Sequence, residues 1–534
     1  MNQDVAPRPG PRIETGIAGA TIFFVLFLLA YASSISNHLT GDSTWYAHDI
    51  MWPGDQFWHP HHLLYNPLLR GLLIPFASLL GSPDGRMLFL QWVNLAISAM
   101  ASAAFYLVAR RMGAIILDAA VMTLMLGLSG ASWFFSSQIE VYGLTSLFQC
   151  ICLLGVIAGD SRRSRLVTAT GIAGALYFHQ TAILMLPVIL VYELARHRKD
   201  RRRLAGRLAV CYLLPLIVVG MTYLAVGLAL GHRDTASFWR WLTLHVQFGY
   251  WGKGDLSAAT LQPASGRFVK AVLRPPGGSP RWLEIYFGAL ALYAVARFLA
   301  AGRRTVRHAA LFVALISWAA SLAIFSTWWD ATGAEFWGMV LLPCYLALSL
   351  LAPGDAERPA PVPLQHQLLA RGSMACCLVL LTLSGIGYHR WNQTPNDILQ
   401  AARAAPDAAR DGDLILASGT DRSVYYRIYL DGRPVSVLAI NVKPAREAGE
   451  RSTPQTFTSA LVDVIETEVR NTTARGGRCL ADHWIVDGSF STTRLTSQLV
   501  PADFVSALHR RFRLEPVGDK RGAASCFYEL RLPG

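Results

Sequence analysis

The sequence predicts an α-helical polytopic membrane bundle of about eleven transmembrane helices, carrying a small C-terminal α/β extracytoplasmic domain. Three observations predict it. Charged residues make up only 16% of the 534 positions and hydrophobic ones 53%, where a soluble chain carries about a quarter charged. The deficit is uneven: residues 17–388 hold long apolar runs, and 389–534 have an ordinary soluble composition. Finally, the arginines and lysines cluster in short links between apolar runs, in a pattern that selects one topology.

Apolar segments recur near 17–35, 87–108, 114–130, 140–158, 166–178, 181–195, 206–230, 282–300, 309–326, 336–352 and 372–388. A span needs roughly 20 apolar residues, so the pair 166–178 and 181–195 is short. The first segment follows Arg8 and Arg12 and reads as a signal anchor. Residues 63–80 are also apolar, but Pro67, Arg70 and Pro75 interrupt them. If this stretch does not cross and the N-terminus is cytoplasmic, Arg110-Arg111, Arg162 to Arg165, Arg196 to Arg203 and Arg303-Arg304 all fall inside. If it crosses, every cluster moves outside. The stretch is therefore expected to lie along the outer face. Loops 36–86, 131–139, 231–281 and 327–335 are then external, and the Pro-rich 352–371 is a cytoplasmic linker. The expected division is a membrane region 1–388 and a soluble domain 389–534, in an inner-membrane, multi-pass protein with its C-terminal domain extracytoplasmic.

The soluble part alternates. A helix near 397–409 precedes a strand at 413–418, a helix near 421–430 precedes 435–440, and a helix near 455–470 precedes HWIVDG (483–488). A helix near 502–511 and a strand at 526–532 close the domain, so a layered α/β fold is expected. The net charge of +13 follows from the loop cations that orient the bundle, so no nucleic-acid partner is expected. Of eight cysteines, only Cys479 and Cys526 lie in the soluble part, where an oxidising compartment would allow a disulfide.

Chemistry-bearing residues concentrate in the outer loops. The first, GDSTWYAHDIMWPGDQFWHPHH (41–62), holds Asp42, Asp49, Asp55, His48, His59, His61 and His62. Asp42 directly follows the first span. A carboxylate there suits deprotonation of a hydroxyl at the membrane surface, and it equally suits a helix cap. Adjacent histidines rarely complete a metal site without distant partners, so no cofactor is expected; a divalent cation lacks support. Hydrogen bonding to a phosphate or sugar, or interfacial packing, remain for His59 and His61. Glu140 opens a span, where the helix dipole favours an acid, and His179 with Gln180 occupies an outer turn. Arg267, Lys270 and Arg274 share one helical face, suiting a phosphate or anionic headgroups. Trp328, Trp329, Asp330, Glu335 and Trp337 mix aromatics with acids in another loop. No Walker motif, GxSxG or HExxH occurs.

Several of these pieces resemble the GT-C class of membrane glycosyltransferases, in particular its protein O-mannosyltransferase-like branch. They are GDS (41–43) after the first span, HP (59–60) before an amphipathic stretch, IEVYGL (139–144), FHQT (178–181) and DLILASGTDRSVYY (413–426). Trp45 stands where the branch often has an acid, and His61-His62 where Pro-Gly usually follows. The resemblance implies an inverting transferase that takes a hexosyl or pentosyl group from a polyprenyl-phosphate sugar donor to an acceptor hydroxyl on the outer face. It implies Asp42 as general base. Glu140, His59, His61 and His179 would orient sugar or acceptor, and Arg267, Lys270 and Arg274 would hold phosphate. The partners are then the lipid-linked donor, membrane lipid and an acceptor that is protein, glycan or lipid. The alternative is a lipid or glycan transporter, which would show paired halves and midplane charge pairs. A binding protein using the turn Ser418-Gly419-Thr420 is a third reading.

Overall fold

The computed structural model describes residues 13–54, 56–197, 200–243, 258–273, 281–300, 306–330, 334–351, 364–417, 420–430, 433–439, 454–487, 503–517 and 527–533. It is mostly helical with one small sheet. Contacts divide it into two units, one of 1–36, 53–81 and 85–393, the other of 37–52, 82–84 and 394–534.

The first unit is a helical bundle around one apolar core. Each apolar segment of the sequence is helical along most of its length. Among the described residues, four helices are long and apolar enough to cross a membrane: Pro83–Arg111, Arg201–Ala229, Ala309–Trp329 and the one starting at Leu364. Helices Ile116–Gly127 and Gly130–Ser136, bent by 61° at their junction, together make a fifth. The 29 residues of Pro83–Arg111 measure about 44 Å at 1.5 Å per residue, more than the roughly 30 Å of bilayer hydrocarbon. Helices Tyr142–Ala158 and Arg162–Phe178 have 17 residues each. They pack through small residues: a Cβ on Gly155 would strike Thr168, and one on Gly171 would strike Cys152. Such close backbone approach is a usual basis of helix pairing in lipid.

The stretch 63–80 forms three short pieces, Tyr65–Leu73, Ile74–Phe76 and Ala77–Leu80, and is not a continuous span. Pro75 sits at the second piece, where its missing N–H ends the preceding hydrogen-bond ladder. The expected linker 352–371 is shorter than the sequence suggested, because helix Leu364–Asn392 already includes its last eight positions. Residues 352–363 lie outside the described residues.

The second unit is a three-layer α/β/α fold. Its sheet has the order β2-β1-β3-β5-β4, with β1 Leu414–Ala417, β2 Ser436–Ala439, β3 Cys479–Asp482, β4 Arg513–Val517 and β5 Phe527–Arg531. Strand β1 pairs in parallel with β2 and β3, while β5 runs antiparallel to β3 and β4. Alternate β1 side chains face opposite layers. Leu414 and Leu416 pack with helices Pro454–Ala474 and Asp503–Arg511, and Ile415 and Ala417 with Asp397–Ala408 and Thr420–Tyr429.

Two local expectations are corrected. HWIVDG is not a strand: β3 lies just before it, and His483–Asp487 is helical. The Asp482 carboxylate accepts from the Ile485 N–H at 3.1 Å, so it caps a turn and ends the strand. Strand β4 was not anticipated; it holds Pro516, which an edge strand tolerates. Asp482→Ala is expected to cost about 1–2 kcal/mol, read as a lowered thermal midpoint. Cys479 is buried in β3, and Cys526 lies outside the described residues.

Part of the segment 36–86 belongs to this unit. Asn396 Nδ2 donates to the Asn37 carbonyl at 2.7 Å, and His38 Nε2 and the Thr394 hydroxyl lie 2.8 Å apart. The Arg403 guanidinium grips Asp84 through Nε at 3.1 Å and a terminal nitrogen at 2.9 Å, and the Tyr429 hydroxyl donates to the same carboxylate. Burial and the Asp84 charge together push the Tyr429 hydroxyl far up. Helix Gly41–Met51 packs on helix Thr420–Tyr429.

Candidate active site

In the first unit, two 3₁₀ turns carry the histidines. One is Pro60–His62, the other Gln180–Met185. The same device starts both. His59 Nδ1 accepts from the His61 N–H at 3.2 Å, and His179 Nδ1 accepts from the Thr181 N–H at 3.2 Å. An accepting Nδ1 leaves the proton of a neutral ring on Nε2, so each imidazole offers an N–H donor away from its own turn.

The turns are tied to each other across more than a hundred residues of sequence. Gln180 Nε2 donates to the Pro60 carbonyl at 2.9 Å, and the Tyr223 hydroxyl donates to the same oxygen at 2.7 Å. The Leu64 N–H donates to the Tyr177 carbonyl at 3.3 Å. The polar residues at this helix break thus satisfy the backbone, as apolar surroundings demand.

A continuous row of rings joins the histidines. His61 lies 5.7 Å from Trp329, Trp329 stacks on Phe325 at 5.5 Å, and Phe325 meets Phe336 at 6.2 Å. Phe336 then meets His179 at 6.2 Å, and His179 meets Tyr142 at 5.6 Å. His59 stacks on His62 at 4.3 Å, and His62 meets Tyr65 at 6.4 Å. Glu140 is buried two positions ahead of helix Tyr142–Ala158. Burial first, and the Glu140 charge second, push the Tyr65 hydroxyl well up. Three sequence-derived candidates, His59, His61 and His179, are therefore joined by one row of rings, and Glu140 is buried two positions before Tyr142 of that row.

Tyr65 is a member that sequence reading missed. Its signal was the i, i+3 spacing from His62, hidden in an apolar stretch. A cavity opens beside Tyr142, where Ser98, Ser136 and Glu335 share a mostly apolar lining with Leu126, Phe135 and Met339.

Helix Ala258–Val272 carries Arg267, half-buried, and Lys270, exposed. Its Phe268 lies 5.6 Å from Trp337, which neighbours Phe336 of the ring row. Arg274 and Asp55 lie outside the described residues. Among the described residues, no three His, Cys, Asp or Glu side chains converge as metal ligands.

Asp42 belongs to the second unit, in the first turn of helix Gly41–Met51. Thr40 caps that helix, its hydroxyl accepting from the Ser43 N–H at 2.9 Å. The Asp42 side chain is exposed, whereas Asp49 on the same helix is buried and lies 3.2 Å from His48 Nδ1.

Burial lowers the His179 imidazole to about 4. Its folded value lies below the unfolded one near 6.5, so nothing is lost above pH 6.5. Stability falls as pH drops from about 6.5 to about 4, where only the unfolded chain takes the proton. His179→Gln is expected to flatten that acid decline of the thermal midpoint.

No family model matches the chain, and no curated protein matches it. Solved structures do. Over nearly its full length the chain has a fold similar to those of two solved membrane proteins. In particular it is similar to ArnT from Cupriavidus metallidurans in the apo state, with 13% identity, 97% of this chain and 98% of that chain covered, and a TM-score of 0.59. The same protein bound to undecaprenyl phosphate matches at 12% identity over 97% of each chain, with a TM-score of 0.57. The Archaeoglobus fulgidus oligosaccharyltransferase, in complex with Zn and sulfate, matches at 13% identity over 94% of this chain and 72% of that one, with a TM-score of 0.54. The likeness is one of fold, and the O-mannosyltransferase-like branch rests on the short motifs alone.

Proposed function

We propose that this protein transfers a sugar from a polyprenyl-phosphate-linked donor to an acceptor hydroxyl at the outer face of the membrane. The observation that carries this reading is the full-length likeness to ArnT, whose structure holds undecaprenyl phosphate, together with the row of rings that joins the three histidines. Asp42 removes the acceptor proton as its oxygen attacks the anomeric carbon. The carbon–oxygen bond to the carrier phosphate breaks, and the configuration inverts in that single displacement. His59, His61, His179 and Glu140 orient sugar or acceptor, and the Nε2 donors fixed by the two turns support this role. Arg267, Lys270 and Arg274 balance the departing phosphate.

The loop arginines support a bundle of about eleven spans in the inner membrane, comprising residues 1–388, with 389–534 extracytoplasmic. Helices too short to pass an apolar length test would cross within the bundle, their polar groups met by neighbours. The test is transfer of labelled sugar from polyprenyl-phosphate donors in proteoliposomes, scored against candidate protein, glycan and lipid acceptors. Product formation is the expected result. Lipid or glycan flux without any transfer would replace this reading by transport.

A further inference from the structure

The end of the membrane unit opposite the histidine turns carries a second concentration of charge. Helix Arg162–Phe178 has 17 residues, about 25 Å at 1.5 Å each, so its basic start is remote from His179 at its other end. Some arginines here are neutralised within the protein. Arg165 Nε donates to Asp160 at 2.9 Å, and fully buried Arg207 pairs with Glu193. Arg110, Arg111, Arg162 and Arg163 have no carboxylate partner among the described residues. Arg110 donates one terminal nitrogen to the Ala114 carbonyl, but its buried Nε meets no acceptor among the described residues.

These cations rim two cavities. Arg110, Arg111 and Arg163 line one of about 460 Å³, with Ile17, Leu107 and Leu154 along its walls. Arg162 and Arg163 line a second, of about 490 Å³, with Ile151 and Leu166. Arg163 and Val167 line both, so the cavities flank one ridge of the helix. The aliphatic residues stand one helical turn inward from the cations: Leu107 before Arg110 and Arg111, and Val167 after Arg163.

A soluble anion would engage the arginines and leave the aliphatic walls unused. A zwitterionic lipid would cover the walls but bring its own cation beside the guanidinium groups, leaving their positive charge unbalanced. We propose that this end binds an anionic glycerophospholipid, its phosphodiester against Arg110, Arg111 and Arg163 and its acyl chains in the grooves on either side of Val167. The site is separate from the proposed transfer chemistry.

The test uses the full-length protein in neutral detergent, titrated with short-chain phosphatidylglycerol, short-chain phosphatidylcholine and glycerol 3-phosphate. Thermal midpoint and lipid retention in native mass spectrometry are the readouts. Phosphatidylglycerol is expected to raise the midpoint and be retained, and the other two are not. Arg110→Gln with Arg163→Gln weakens its binding at least tenfold, about 1.4 kcal/mol. Val167→Trp, which fills the grooves and keeps every arginine, does the same and decides the matter if the double variant does not fold. Arg233→Gln, on an exposed cation elsewhere, leaves binding unchanged. Equal response to phosphatidylcholine or to glycerol 3-phosphate, or undiminished binding in Val167→Trp, overturns the proposal.

Discussion

Asp42→Asn is expected to lower sugar transfer at least a hundredfold while leaving the fold intact. A positioned general base contributes about 10²–10⁴-fold, and a hundredfold loss corresponds to about 2.7 kcal/mol of barrier. The structural contribution of the same carboxylate is smaller. Asp42 is exposed in the first turn of its helix, where the dipole rewards an acid by about 0.3–1 kcal/mol. The cap itself is supplied by Thr40 and survives the change. Initial transfer rate and thermal midpoint, measured on the same preparation, therefore separate the two roles. Asp49→Asn is the informative comparison, because Asp49 is buried on the same helix beside His48. Full activity of Asp42→Asn with loss in Asp49→Asn would move the base seven residues along that helix, and full activity in both would remove this helix from the chemistry.

Arg207→Ala is expected to give the largest loss of stability, about 3–5 kcal/mol. Arg207 and Glu193 are both fully buried and paired through a terminal guanidinium nitrogen. Another terminal nitrogen donates to the Gly159 carbonyl at 2.6 Å and lies 3.3 Å from Asp160. One side chain thus ties helices Leu186–His197 and Arg201–Arg207 to the turn before Arg162. Its removal leaves the Glu193 carboxylate away from water, facing His197 Nε2 at 3.3 Å in place of a guanidinium, and a buried carboxylate stripped of its main partner is costlier than the pair is valuable. Replacing both partners with apolar residues, Arg207→Met with Glu193→Leu, should recover most of the loss. Thermal midpoints in one detergent test this; a double variant no better than the single one would show that the pair itself, and not the orphaned charge, sets the stability.

Much of the helical content was legible in the sequence, because hydropathy is a local property of a run and a helix satisfies its own backbone. The break after Leu73 was legible too, in Pro75, which cannot continue the hydrogen-bond ladder. Strands β1, β2 and β5 also showed, as apolar runs between turn residues. What failed locally failed for an identifiable cause. His483 to Asp487 has strand-like composition, yet a carboxylate one residue earlier caps it into a helix. Strand β4 exists by antiparallel pairing with β5, and its own run RLEPV, with two charged residues and a proline, has no strand alternation to show it.

The candidate residues divide in the same way. The sequence by itself determined their types and the helix ends that hold them: a carboxylate after the first span, histidines at two breaks, and arginines at the links. Only the tertiary structure decided their company. Gln180 reaches a carbonyl 120 positions away, Trp329 bridges His61 toward His179, and helix Gly41–Met51 joins the C-terminal unit. Periodicity records which face of an element is apolar. A hydrogen bond between distant loops, or a ring stacked on a ring from another helix, is set by packing and leaves no period to read.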